Sequence, residues 1–162
     1  MWKELNLGQV RRFRKMRTGS SVPLKSEHPN YVWCVDFFLD ACMNGTKLKI
    51  LSVVNELTWE CLALEAGSRL DSARVRDSLE PLFRQRCAPR FVRNDNGGEF
   101  ISRLLTVFLA QSGSCSHFIE RGSPWQNGFA QSFHSALRRN CLDVDVFVNL
   151  ADAQMRLAVL RR

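Results

Sequence analysis

The sequence predicts an α/β domain, a mixed five-stranded sheet with helices on both faces. Three observations lead there. Between residues 31 and 66, three apolar, β-branched and aromatic runs follow one another with short polar breaks, the pattern of hairpin-linked strands. From residue 70 onward the periodicity alternates between helix and strand, as connections that cross a sheet require. The 162 residues are one domain's worth of chain, and 45% hydrophobic with 10% aromatic residues supply a core, which excludes disorder for the body of the chain.

The elements follow in order. "YVWCVDFFL" is almost wholly apolar, as expected of a strand covered on both faces. A turn at Asn44-Gly45 leads to "LKILSVVNE", and a short polar break to "WECLALEA". "LDSARVRDSLEPLFRQR" turns helical, with Val75, Leu79, Leu82 and Phe83 on one stripe and Asp71 as N-cap; Pro81 inside it should kink or divide the helix. "APRFVRND" is a short fourth strand, "GEFISRLLTVFLAQSG" a helix ending near Gly113, and "SCSHFIE" a fifth strand. A Gly- and Pro-rich turn then feeds the helix in "RGSPWQNGFAQSFHSALRRN", whose buried stripe is read as Phe129, Phe133 and Leu137. Gln131, Ser135, Arg138 and Arg139 fall off that stripe. The last segment, "NLADAQMRLAVLRR", opens with Asn149 and Asp152 in the manner of a capping box.

Charge is concentrated at one end. Seven Lys/Arg against two Glu give residues 1–30 a net +5, leaving +2 of the total +7 for the remainder. That stretch lacks sustained apolar periodicity and reads as a basic lead-in, with 31–162 as the core. Its cluster Arg11, Arg12, Arg14, Lys15 and Arg17 suits nucleic acid phosphates, or else a solvated tail. The six cysteines contain no C-x-x-C pair, so a zinc site or disulfide framework is not expected and all six read as core or near-core thiols. No apolar run reaches the length of a membrane span and no signal-peptide core follows the basic start; the expected location is cytoplasmic, nucleoid-associated if the chain binds DNA.

Two carboxylates are out of keeping with their surroundings. Asp36 interrupts an apolar strand, where an unpartnered charge costs several kcal/mol, so it either meets an arginine or binds a metal. Asp95 ends a strand and enters "NDNGGEF", at the end of a sheet where α/β folds gather their sites; an Asx turn is the other reading. Two oxygen ligands on adjacent strands suit Mg²⁺ or Mn²⁺, ions that serve phosphoryl transfer.

The strand aspartate in "VWCVDFF", the "RNDNGGEF" turn and "FIERGSPWQNGFAQSFHSALRRNCL" together resemble the catalytic core of insertion-sequence transposases of the retroviral-integrase superfamily, from about Val32 to Arg156. The resemblance implies an RNase H-like fold, with Asp36 and Asp95 as the first two metal ligands. It puts the third, a glutamate, 35 residues beyond the second aspartate (131 − 95 − 1), where this chain has Gln131. Glutamine offers one neutral carbonyl oxygen for a carboxylate, so cleavage and strand transfer should be far weaker than in relatives. Trp125, Gln126 and Asn127 in the turn, with Arg138 and Arg139, are expected to lie near DNA; Trp125 is equally read as a packed aromatic. His134 reads as a surface or DNA-facing histidine more than as a replacement metal ligand, and Glu99 as support for the start of the following helix. The resemblance further implies that a DNA-binding region precedes this core, that the final helix continues past Arg162, and that the working unit is a homo-oligomer. A DNA-binding or multimerising module without catalysis is the alternative reading.

Overall fold

The computed structural model describes residues 24–120, 126, 128–142 and 146–161. Within them, the strands are β1 (Val32–Ala41), β2 (Lys47–Asn55), β3 (Cys61–Gly67), β4 (Phe91–Asn94) and β5 (Cys115–Phe118). The helices are α1 (Ser72–Arg86), α2 (Arg103–Gln111), α3 (Gly128–Leu137), which runs on as a π-helical turn over Arg138–Leu142, and α4 (Leu150–Leu160). They build one sheet in the order β3-β2-β1-β4-β5. The hairpin-linked strands β1, β2 and β3 pair antiparallel, while β4 and β5 join by crossover helices and pair parallel. The sequence predicts this mixed sheet and its element order.

Strand alternation divides the apolar side chains between two cores. Trp33, Val35, Leu51, Val53 and Val92 face α1 and α2, where Val75, Leu79, Phe83, Leu105 and Leu109 meet them. Phe38, Leu48, Ile50, Leu64 and Ala66 point to the other side, against Leu142, Phe147, Ala153 and Leu157. Asp36, between Val35 and Phe37, therefore belongs to this second face.

Local chemistry sets the helix starts. Asp71 accepts the Arg74 N–H at the head of α1, Ser102 that of Leu105 at α2, and Asn149 that of Asp152 at α4. Asp152 reaches back to the Val148 N–H, one residue earlier than a capping box requires.

Four expectations are corrected. Pro81 does not divide α1, which runs unbroken from Ser72 to Arg86; the proline is exposed, so the carbonyl it leaves unbonded can be solvated. The second helix starts at Arg103, because Ser102 caps it after Gly97–Ile101 has formed a turn. Cys87 is exposed, at φ 64° beyond the end of α1, whereas Cys34 and Cys42 are buried as expected. On α3 the inward line runs through Ala130, His134 and Leu137, with Phe133 half-buried beside it. None of the described helices is long and apolar enough to cross a membrane.

Candidate active site

Asp36 stands near the middle of the central strand, 8% exposed. Its Oδ1 accepts the Phe37 N–H at 2.8 Å, a local bond that orients the carboxylate. Across the antiparallel ladder its register partner is Ser52, itself buried. The Ser52 hydroxyl donates to the Asp36 carbonyl oxygen at 3.3 Å.

The parallel ladder between β1 and β4 pairs Val32 with Phe91, Trp33 with Val92 and Cys34 with Arg93. The pairing ends there and β4 ends at Asn94, so Asp95 is the first residue beyond the strand; the offset of 59, continued, would match it to Asp36. Asp36 belongs to the face that α3 and α4 cover, and Asp95 stands at the end of the sheet where β4 stops. Asp95 Oδ1 accepts the Gly97 N–H at 2.8 Å, so the Asx turn read as an alternative is present and orients the carboxylate. Gly97 leaves room for the Asp95 carboxylate: a Cβ there would stand 2.9 Å from Asp95 Oδ1 and 3.3 Å from Glu99 Oε2.

Glu99 does not support the start of α2. Lys49 pairs with it, lies 4.1 Å over the Phe37 ring and holds the Glu99 carboxyl below its ordinary range. The Phe37 ring stacks on Phe100 at 5.1 Å, which draws this group towards the α1–α2 side of the sheet.

Helix α3 packs along β1. Gln131 is exposed in its first turn and His134 turns inward three residues later. The His134 ring meets Phe38 at 4.5 Å between centroids, and Nε2 lies 2.8 Å from Ser52 Oγ. Burial first, and the Arg138 charge second, push its pKa down to about 4, so it is neutral near pH 7. The surface-histidine reading is therefore corrected; the imidazole is part of the packing between α3 and the sheet.

A buried ion pair supports the approach to α3. Arg93 Nε stands 2.6 Å from Glu56 Oε1, their side chains 10% and 9% exposed. The approach is an ion contact, not a well-aligned hydrogen bond. Arg93 also donates to the carbonyl oxygens of Leu24, at 2.5 Å, and Gln126, at 3.4 Å. It thereby joins the chain before β1, the end of β2 and the segment before α3. Burial raises the Glu56 carboxyl above its ordinary range even beside this arginine.

The remaining candidates divide into three groups. The Gln126 side-chain oxygen accepts the Glu120 N–H at 2.9 Å, and its amide lies 3.4 Å from Glu120 Oε2, so it braces the turn. Arg138 donates to the Leu39 carbonyl oxygen at 2.6 Å and lies over the Phe38 ring, while Arg139 is exposed. Arg11, Arg12, Arg14, Lys15, Arg17, Trp125 and Asn127 lie outside the described residues.

As a donor set, Asp36 and Asp95 offer hard oxygens of the kind Mg²⁺ or Mn²⁺ takes. Among the described residues no three His, Cys, Asp or Glu gather as a metal-holding group. The site fits a divalent cation held by two carboxylates, completed by water or substrate oxygens.

Sheet order and crossovers define an RNase H-like domain of the kind found in retroviral integrase cores. Two sequence profiles, both described as integrase core domain, match residues 26–124 and 112–162, and the chain belongs to that family. It is 35% identical over 134 residues to an uncharacterized 31.7 kDa protein of insertion element IS407 from Burkholderia multivorans, covering 83% of this chain and 48% of that one. It is 37% identical over 139 residues to a 39.2 kDa protein of insertion element IS476 from Xanthomonas euvesicatoria, covering 86% and 40%. The chain thus spans about half the length, or less, of these relatives. Among solved structures, a simian T-cell lymphotropic virus intasome matches with TM-score 0.63 at 14% identity, over 83% of this chain and 49% of that one. The HTLV-2 integrase catalytic core domain in complex with magnesium matches with TM-score 0.53 at 14% identity, over 80% and 86%. At that identity the two structures speak for the fold.

Proposed function

We propose that this chain is the core of an insertion-element transposase acting on DNA phosphodiesters, that Asp36 and Asp95 hold Mg²⁺ or Mn²⁺, and that Gln131 in the third ligand position leaves cleavage and strand transfer weak. The observation that carries this reading is a buried carboxylate, Asp36, on the central strand, with a second, Asp95, directly after the end of its parallel neighbour β4. When bound, a divalent cation lowers the pKa of an attacking hydroxyl and stabilises charge on the scissile phosphate.

The chain's own residues supply orientation. Asp36 is fixed by the central strand and its bond to the Phe37 N–H; Asp95 is fixed by the turn at Gly97. Gln131 contributes one neutral acceptor where a carboxylate would contribute charge, and a missing member of a cooperative set usually costs orders of magnitude in rate. Arg139, exposed beside α3, and the basic cluster from Arg11 to Arg17 are the phosphate contacts in this reading. A homo-oligomer is the working form, and the dimeric and trimeric forms of the HTLV-2 core are in keeping with it.

The second reading, a DNA-binding or multimerising module without chemistry, is favoured by Gln131 itself. Mn²⁺ binding and nicking of element-end DNA separate the two, with this chain, Gln131→Glu and Asp36→Asn/Asp95→Asn compared. Tighter Mn²⁺ binding and at least tenfold faster nicking in Gln131→Glu are expected. Silence of both the parent and Gln131→Glu would sink the enzyme reading, and salt-dependent DNA binding that survives loss of both aspartates would support the module.

A further inference from the structure

We propose that His134 is a positioning residue: through Ser52 it fixes the seat of α3 on the sheet, and with it the position of residue 131 relative to Asp36 and Asp95. The inference rests on the metal-site reading for its consequence, and on the hydrogen-bond geometry for its substance.

Ser52 is 2% exposed and occupies the register position opposite Asp36. Its hydroxyl has one proton and meets two polar groups, the Asp36 carbonyl oxygen at 3.3 Å and His134 Nε2 at 2.8 Å. The carbonyl can only accept, whereas Nε2 donates in one neutral tautomer and accepts in the other, so the 2.8 Å contact to Ser52 is a hydrogen bond in either tautomer. The three groups then form a chain from α3 through β2 to β1.

Packing confines the ring as well. The imidazole is tilted against Phe38 on β1 at 4.5 Å and lies edge-on to Phe133 at 6.0 Å. Aromatic contact alone would let α3 slide along the sheet; one short hydrogen bond to a buried serine would not. His134 and Gln131 are three residues apart on one helix, so they share a side and move together. Ala130 is the one fully buried residue of α3, a methyl group is a weak anchor, and Leu137 packs on the second core only at the helix's far end.

The test has a metal-free arm and a metal arm. In the first, amide hydrogen exchange across residues 128–137 is measured for the parent chain, His134→Phe, His134→Gln and Ser52→Ala. Phenylalanine keeps the ring contact and removes the hydrogen-bonding nitrogen, whereas glutamine returns an amide near the place of Nε2. At least tenfold faster exchange in α3 is expected for His134→Phe and Ser52→Ala, with β1 and β2 unchanged and most protection restored in His134→Gln. Unchanged α3 exchange in His134→Phe overturns the proposal.

In the second arm, Mn²⁺ affinity is measured by titration calorimetry in the Gln131→Glu background with the same substitutions. Roughly tenfold weaker binding for His134→Phe, recovered in His134→Gln, is expected, the usual scale for groups that orient ligands. Faster α3 exchange with unchanged Mn²⁺ affinity overturns the claim that the tether positions residue 131. Failure of Gln131→Glu to bind Mn²⁺ would count against the metal site, and the exchange arm would still decide the tether.

Discussion

Replacing Arg93 by methionine removes the positive member of a pair that almost no water reaches. With side chains 10% and 9% exposed, the two charges have left most of their hydration behind. At an effective dielectric of about 20 and about 4 Å between charge centres, their attraction is roughly 4 kcal/mol. Desolvation costs several kcal/mol for each ion, so the intact pair contributes little net stability. Breaking it is another matter: Arg93→Met strands Glu56 and should cost about 3–5 kcal/mol at pH 7. Glu56→Leu should cost less, since Arg93 keeps its bonds to the carbonyls of Leu24 and Gln126. The double variant Arg93→Met/Glu56→Leu should lose only about 1–2 kcal/mol, chiefly for those carbonyls. Urea unfolding followed by circular dichroism, on all four chains, gives the coupling energy, expected above about 2 kcal/mol.

The pH dependence supplies a second reading of the same cycle. Glu56 already has a carboxyl raised by burial, and losing Arg93 raises it further. A carboxyl whose folded pKa lies above its unfolded value binds more protons when folded, so folding gains as pH falls towards the unfolded value. The Arg93→Met deficit should therefore shrink between pH 7 and pH 5. Additive losses across the cycle, or a deficit that grows on acidification, would refute the account of a stranded buried carboxylate.

The other predictions concern the site and its helix. His134, held at about 4 against an ordinary 6.5, contributes stability that is full above pH 6.5 and is lost as pH falls through that interval. The interval is worth about 3 kcal/mol if fully buried, and partial exposure reduces it to roughly 1–2 kcal/mol; His134→Phe should flatten the fall in melting temperature between pH 7 and pH 4.5. Gly97→Ala should push aside the Asp95 carboxylate, weakening Mn²⁺ binding about tenfold in the Gln131→Glu background while global unfolding changes little. Titration calorimetry beside a thermal melt separates those two effects.

Much of this architecture is legible in the residues alone, and the exceptions have physical causes. The hairpin at Asn44-Gly45 is a local signal, and it fixes the β1–β2 register: paired residues sum to 88 throughout the ladder. The turn by itself therefore matches Ser52, the polar residue inside "ILSVV", to Asp36. The β1–β4 register has no such signal, because a crossover of some fifty residues through β2, β3 and α1 leaves no local trace of the offset. Inward residues on α3 are harder still. Phe129, Phe133 and Leu137 share one spacing and Ala130, His134 and Leu137 nearly the same, and aromatic size favours the wrong line. A histidine gives no sign in sequence of a buried serine waiting for it. Lys49 and Glu99 are fifty residues apart and meet only because β2 and the turn after β4 border one another.

The π-helical turn at Arg138–Leu142 has a consequence for the phase of everything after it. A π turn closes its hydrogen bonds one residue later than an α turn, so it stores one surplus residue within an otherwise regular helix. Leu142 is buried in the second core at that shifted phase. Deleting one residue between 138 and 142 would restore α geometry and keep the helix intact. Because the wide turn already absorbs that residue, the side chains beyond it would keep nearly their present phase and Leu142 would still face the core. A further insertion has no such reserve and would turn Leu142 by about 100° away from it.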